Sequence, residues 1–182
     1  MDKPWYQKMF SRPQTAGLET LETRAGNGDA EAQFKLGLKH ANSLETARYL
    51  QAVQWYRKAA DQDHSLAQFN LGMMHAKGHG VSKDDAEAAA WFQKAARQGD
   101  AAAQFNLGKS HHRASISGPP ADASESRIEA YKWFQLAEAQ GYKGLNSAYG
   151  TLVLNMTRED VADGRQRAAA FVVEKRKPTL KA

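Results

Sequence analysis

The feature that most constrains the fold is an internal repeat of two short segments. The first segment is AQFKLG at residues 32–37, AQFNLG at 67–72 and AQFNLG again at 103–108. The second is AVQWYRKAA at 52–60, AAAWFQKAA at 88–96 and AYKWFQLAE at 130–138. Copies that recur at a fixed interval of this length are typical of solenoid proteins, whose repeats stack in a row and share a continuous core.

The spacing of apolar residues predicts that both segments are α-helices. In the second segment, Ala88, Trp91, Phe92 and Ala95 recur at three- and four-residue intervals, which places them on one helix face. The tryptophans at the equivalent position of each copy are predicted core residues: Trp55, Trp91 and Trp133. We therefore predict an all-α fold, a right-handed superhelical solenoid of antiparallel helix pairs. It has about three full repeats and a capping helix at each end.

Each first segment ends in a glycine, at Gly37, Gly72 and Gly108. A glycine inside a helix costs about 1 kcal/mol relative to alanine, so its recurrence predicts a close approach of the partner helix. We expect the small alanines of the second segment to lie against these glycines.

The second copy also contains a joint between its two helices, KGHGVSKDD at residues 77–85. Here we expect Ser82 to be the N-cap of the following helix, with Asp84 and Asp85 in its first turn. The third copy has a longer insert instead, SISGPPADASES at residues 115–126. Its proline and glycine content predicts an exposed loop.

The order A-x-x-x-L-G, then G-x-G-V-x-x-D, then A-x-x-W-x-x-x-A-A-x-x-G closely resembles the Sel-1-like repeat, a relative of the tetratricopeptide repeat. The resemblance covers roughly residues 28–142, although the first and third copies depart from it in the joint. It implies a non-enzymatic protein–protein interaction scaffold of the kind found in bacterial signalling or envelope assembly.

The repeats divide the chain into six predicted parts. These are an aromatic-rich segment at 1–13, a capping helix at 14–27, repeats at 28–64, 65–100 and 101–142, and a degenerate repeat with a capping helix and basic tail at 143–182. The final helix is predicted to begin after Thr157, with Asp160 completing a variant of the capping box. Its predicted core-facing positions are Val161, Ala168, Phe171 and Val172.

The sequence contains none of the patterns expected of a catalytic, cofactor or metal site. It has no cysteine, which excludes disulfides, thiolate metal sites and a cysteine nucleophile. His75 and His79 are four residues apart, as metal ligands on a helix can be. However, His40, His75 and His111 occupy one position of the repeat, which predicts a structural role in packing rather than metal binding. Sensing of pH by these histidines stays open.

No apolar run reaches the length of a signal peptide or a membrane span, so we expect a cytoplasmic protein. A leader missing from this sequence would make it periplasmic or secreted.

If the first helices follow the tetratricopeptide pattern, the residues flanking each Leu-Gly pair line a groove. The predicted groove residues are Lys35, Leu38, Asn70, Met73, Asn106 and Lys109. Lysine and asparagine can hold a carboxylate or a peptide backbone, and leucine and methionine can accept an apolar side chain. We expect the partner to be a protein or extended peptide with acidic or C-terminal character. Ordinary solvent exposure of the row is the alternative.

Both ends of the chain suggest other contacts. Residues 151–182 carry seven Lys or Arg against four acids, so a nucleic-acid or membrane role is the alternative function, with nucleic acid the less expected partner. The N-terminal PWYQKMF at residues 4–10 could fill the groove, mediate self-association or pack on the leading cap.

Overall fold

The computed structural model describes residues 20–42, 46–144 and 148–173. These ranges are helical and contain no β-strand, which confirms the predicted all-α class. The helices are α1 (Leu21–Gly26), α2 (Ala30–Ala41), α3 (Thr46–Ala60), α4 (Ser65–Lys77), α5 (Asp85–Arg97), α6 (Ala101–Ser117), α7 (Ala123–Ala139), α8 (Ala148–Leu154) and α9 (Arg158–Ala169), with a 3-10 turn at Pro120–Asp122. Across the same ranges, no helix combines the length and apolarity needed to cross a bilayer.

The helices pack as successive antiparallel pairs. Helix α2 packs on α3, α4 on α5 and α6 on α7, and the second helix of each pair contacts the first helix of the next. Helix α1 lies against α2 at one end, and α8 and α9 both contact α7 at the other. This arrangement confirms the predicted solenoid, in which each thin pair is stabilised by its neighbours.

Two of the three repeated tryptophans are core residues, as predicted. Trp91 and Trp133 are only 5% and 3% exposed, whereas Trp55 is half-buried. Trp55 packs beside Leu21 of the short helix α1, which provides less cover than the full helices that lie over the other two.

Each repeated glycine does lie at a close helix approach, but the opposing group differs from the prediction. A Cβ on Gly72 or Gly108 would lie 2.7 Å from a ring carbon of Phe92 or Phe134. Gly37 faces Tyr56 in the same way. The aromatic residue after each tryptophan fills the space that the missing side chain leaves, and an alanine also lies close at Gly72, where a Cβ would be 3.2 Å from the carbonyl oxygen of Ala88.

Asp84, rather than Ser82, is the N-cap of α5. Its side chain accepts hydrogen bonds from the backbone N–H groups of Ala86 and Glu87, both at 2.9 Å. Its own N–H donates to the carbonyl of His75 at 3.0 Å, which ties the joint to the end of α4. The predicted cap was wrong because this tie keeps residues up to Asp84 outside the helix.

The insert of the third copy is mostly helical rather than a loop. Helix α6 runs on to Ser117, so it has 17 residues where α4 has 13. After Gly118 and a 3-10 turn, α7 begins at Ala123. The loop prediction was wrong because the insert lengthens both helices and leaves only a short connection.

The two ends agree only in part with the predictions. Thr157 and Asp160 form the capping box at the start of α9, as predicted. However, α9 ends at Ala169, so Phe171 and Val172 follow the helix; Phe171 packs on Trp133, while Val172 is 80% exposed. Residues 1–19, with the aromatic-rich segment and part of the predicted first cap, lie outside the described residues, as does the tail at 174–182.

A buried glutamine joins three successive helices in every repeat. The side-chain amides of these glutamines donate to a carbonyl near the end of the preceding second helix: Gln33 to Ala25, Gln68 to Ala60 and Gln104 to Ala96, at 3.1, 3.1 and 3.2 Å. The side-chain oxygens accept from a glutamine just after the second helix of the same repeat: Gln62, Gln98 and Gln140, at 2.8, 2.8 and 2.7 Å. We call each of these bridges a glutamine clasp.

Candidate partner-binding cleft

An open cleft of about 420 Å³ lies between α5 and the lengthened helix α6. Ala88, Ala89 and Phe92 of α5 supply an apolar side, together with Ile116 of α6. The wall formed by α6 is otherwise polar. Its main side chains are Asn106, Lys109, His112 and Arg113. The cleft therefore combines an apolar surface with a row of hydrogen-bond donors.

The extra length of α6 builds part of this cleft. Residues Asn106, Lys109, Arg113 and Ile116 recur at three- and four-residue intervals and so share one face of the helix. A first helix as short as α4 would end before Ile116. Ile116 is 73% exposed and so presents an apolar surface to solvent at the end of the helix.

The charge of the cleft is positive. Arg113 lies 3.4 Å from Asp85, but these side chains are 58% and 45% exposed, so the pair contributes about 0–1 kcal/mol and is easily exchanged. Lys83 and Lys109 also line the cleft, and no carboxylate of the described residues pairs with either. An acidic group entering the cleft therefore meets cations whose positive charge is only weakly compensated.

His112 places an imidazole in the same wall. Its Nδ1 atom is buried without a hydrogen-bond partner among the described residues. Burial lowers the pKa of His112, which favours the neutral ring. The neighbouring His111 faces α7; burial lowers its pKa, while the nearby carboxylate of Glu129 acts in the opposite direction.

Two of the six predicted groove residues, Asn106 and Lys109, line this cleft. The others do not: Lys35 is exposed and pairs with Glu31 at 3.2 Å, and Leu38 and Met73 are partly buried against core clusters. Asn70 lies outside the cleft, and its side-chain amide, like that of Asn106, donates to the carbonyl four residues earlier in its own helix, at 2.8 Å. Binding by the full row of six stays a prediction.

The apolar side of the cleft is not predicted by the sequence pattern. Phe92 matched the pattern of a core residue, and it does touch the core as well as the cleft. Ile116 lay in the insert that was predicted as a loop. An isolated isoleucine within an otherwise polar insert was the one available signal.

The histidines at the joint are packing residues. His75 is buried, and its Nε2 atom lies 3.4 Å from Nη2 of Arg57, while the ring of His79 stacks on Tyr49 at 4.7 Å. In the part of the chain that the structure describes, no three His, Asp or Glu side chains are grouped as metal ligands would be.

The basic residues of the last helix are partly engaged within the protein. Arg165 donates to the hydroxyl of Tyr131 at 3.1 Å. Arg167 pairs with Glu125, Glu129 and Asp163 and so fixes α9 to α7. These bonds give the described part of the helix a structural role. The alternative of a nucleic-acid or membrane role for the basic C-terminal helix, Arg165 to Lys181, stays a prediction.

Comparison with known proteins agrees with this architecture. The model of the Sel1 repeat family matches residues 30–64, 65–100 and 101–142. A protective antigen of uropathogenic Escherichia coli with an SLR fold is 29% identical, with a TM-score of 0.72 over 89% of this chain and 35% of its own length. This chain thus spans about a third of that protein. A Sel1 repeat protein from Oxalobacter formigenes is 32% identical, with a TM-score of 0.57 over 72% of this chain and 95% of its own. No curated protein matches the sequence significantly.

Proposed function

Since this chain belongs to the Sel1 repeat family, whose repeats generally mediate protein–protein interactions, we propose that it is a non-enzymatic scaffold. It holds an extended segment of a partner protein in the cleft between α5 and α6. The partner segment carries an apolar anchor residue next to an acidic one.

The observation that carries this proposal is the pairing of an apolar side and a cationic side in one cleft. A volume of about 420 Å³ falls within the range of roughly 300–1,000 Å³ that is usual for binding pockets. An aliphatic side chain of the partner can pack against Phe92 and Ile116, where it is removed from solvent. Lys109 and Arg113 lie beside Ile116 on the same face of α6, where a carboxylate next to that anchor would form charge-assisted hydrogen bonds.

Selection of binding peptides from a displayed random library tests the proposal. We expect the selected peptides to share an aliphatic residue beside Asp or Glu. We also expect Lys109→Ala and Ile116→Ser to weaken their affinity at least tenfold, because each removes one of the two contacts. Both side chains are exposed or partly exposed at the surface, so the substitutions leave the core intact.

Lys35→Ala is the matched control, since Lys35 belongs to the predicted row but lies outside the cleft. If the peptides bind only in the cleft, the affinity of this variant for them should equal that of the unmodified protein. A loss in this variant would show that the segment continues along the row. Peptides that bind the Lys109 and Ile116 variants as tightly as the unmodified protein would refute the cleft assignment.

A further inference from the structure

Arg57 is a half-buried cation that has no counter-ion among the described residues. It lies on α3, and its guanidinium donates one hydrogen bond, to Nε2 of His75 at 3.4 Å. Its Cζ atom also lies 5.6 Å from the ring centroid of Trp91. Among the described residues, no carboxylate lies within ion-pair distance of Arg57. A guanidinium has five N–H donors, so most of its hydrogen-bonding capacity faces no protein acceptor.

A second cation shares the same aromatic ring. The ammonium of Lys94 lies 3.8 Å from the Trp91 ring centroid, and no carboxylate of the described chain pairs with it. Two further donors nearby lack an acceptor: Nε1 of Trp91 and Nδ1 of His75, both on side chains that are more than nine-tenths buried. The region therefore gathers donors and positive charge, and within the described residues no carboxylate pairs with either cation.

This cluster faces away from the cleft. The cleft is lined by the face of α5 that carries Asp85, Ala88 and Phe92. At about 100° of rotation per residue, Lys94 lies roughly 180° around the helix from Asp85. A partner bound at Lys94 and one bound in the cleft would occupy different sides of the solenoid.

The combination also occurs only once in the repeats. The residue equivalent to Arg57 is a glutamine in the next two copies, at positions 93 and 135. Lys58 does lie over Trp55, at 4.4 Å from the ring centroid, but no second cation shares that ring among the described residues. The fold does not require Arg57 at this position, since the other copies have the same helices without it.

We propose that Arg57, Lys94 and Trp91 form a second docking site, which binds an aspartate or glutamate side chain of a partner protein. The planar guanidinium accommodates a carboxylate in a bidentate geometry, and its contact with the Trp91 ring holds it in place before the partner arrives. Lys94 supplies the second positive charge. The site is independent of the cleft, so the scaffold can hold two acidic partner elements on opposite sides.

The indole N–H of Trp91 provides a direct readout of this site. The experiment titrates the ¹⁵N-labelled full chain with the capped peptide acetyl-(Glu)4-amide at constant ionic strength and follows the indole cross-peaks by NMR. Trp91→Phe assigns the relevant peak. We expect a saturable shift of the Trp91 peak, a smaller and non-saturating change at Trp55, and no shift with acetyl-(Gln)4-amide.

Arg57→Gln and Lys94→Gln should each weaken the affinity for acetyl-(Glu)4-amide, measured from the Trp91 peak, at least fivefold. Arg57→Gln introduces the residue that the later repeats carry, so the variant should keep its fold, and an unchanged unfolding midpoint checks this. Lys58→Gln is the control and should titrate like the unmodified protein. The proposal would be overturned if the Trp91 peak of the unmodified protein did not move. It would also be overturned if the peak moved as far in the Arg57 and Lys94 variants as in the unmodified protein. An equal loss with Lys58→Gln would overturn it as well, because this would indicate attraction by general positive charge alone.

Discussion

Replacing Gln68 by methionine tests whether the glutamine clasps hold the repeats together. Gln68 is 1% exposed and makes two short hydrogen bonds, to the carbonyl of Ala60 at 3.1 Å and from the amide of Gln98 at 2.8 Å, and a longer one to Oδ1 of Asp63 at 3.5 Å. Methionine keeps nearly the same length and volume and can make none of these bonds. The substitution therefore isolates the hydrogen bonds from the packing of the side chain.

The expected loss of stability follows from what each partner retains. A hydrogen bond contributes about 0.5–1.5 kcal/mol net, so two give about 1–3 kcal/mol. The carbonyl of Ala60 keeps a bond from the backbone N–H of Asp63 at 3.1 Å. Gln98 is half-buried and can turn to water. Neither partner is left fully unsatisfied, so we expect about 2 kcal/mol, or a fall of roughly 4–8 °C in Tm for a domain of this size.

Urea unfolding followed by circular dichroism measures the change. Gln54→Met is the control, because Gln54 is exposed on α3 and should change the free energy of unfolding by less than about 0.5 kcal/mol. A double-mutant cycle between Gln68→Met and Gln98→Met should give a coupling of about 0.5–1.5 kcal/mol. If Gln68→Met is as stable as the unmodified protein, the clasps do not contribute to stability and the reasoning fails.

Three further changes test the packing, the turns and the histidines. Gly72→Ala places a methyl group 2.7 Å from Phe92 and should lower the free energy of unfolding in urea by about 1–2 kcal/mol. Gly150→Ala is the control, because its methyl group would lie in open space, and it should be neutral or stabilising. Asp63→Gly should stabilise the fold by about 0.5–1 kcal/mol in a thermal melt, because Asp63 has a left-handed φ of 58° where other joints have glycine. The pKa of His111 is lowered in the folded protein, chiefly by burial, so folding favours the neutral ring. The contribution of His111 to the free energy of unfolding is therefore complete above pH 6.5 and is lost as the pH falls through the lower folded-state pKa. His111→Gln should flatten this dependence when unfolding is measured from pH 7.5 to 5.

The repeat itself made most of the fold predictable. A period of alternating helices, with a tryptophan at one position and a glycine at another, leaves little choice other than stacked helix pairs. The capping box at Thr157 was equally visible, since its bonding partners are three residues apart. The clasps were not, because Gln68 and Gln98 are 30 residues apart and each alone has the composition of an exposed helix residue.

The cleft could be predicted only in part, for a different reason. Asn106 and Lys109 belong to the repeat and could be placed by analogy with the other copies. Ile116 comes from the added turns of α6, and a polar segment with Gly118 and two prolines does not show from the sequence where its helix ends. The cleft forms where the third copy departs from the repeat pattern. At such a position the other copies do not predict the structure.

The same contrast bears on where function lies in a repeat protein. Residues that recur in every copy, such as the clasp glutamines and the helix glycines, have partners inside the fold that account for them. A binding site that distinguishes one partner from another needs groups that the other copies lack. Both sites proposed for this chain are of that kind: the cleft depends on the extended α6, and the carboxylate site depends on Arg57 where later copies have glutamine. The uniform frame positions these groups rigidly, and the departures from uniformity supply the specificity.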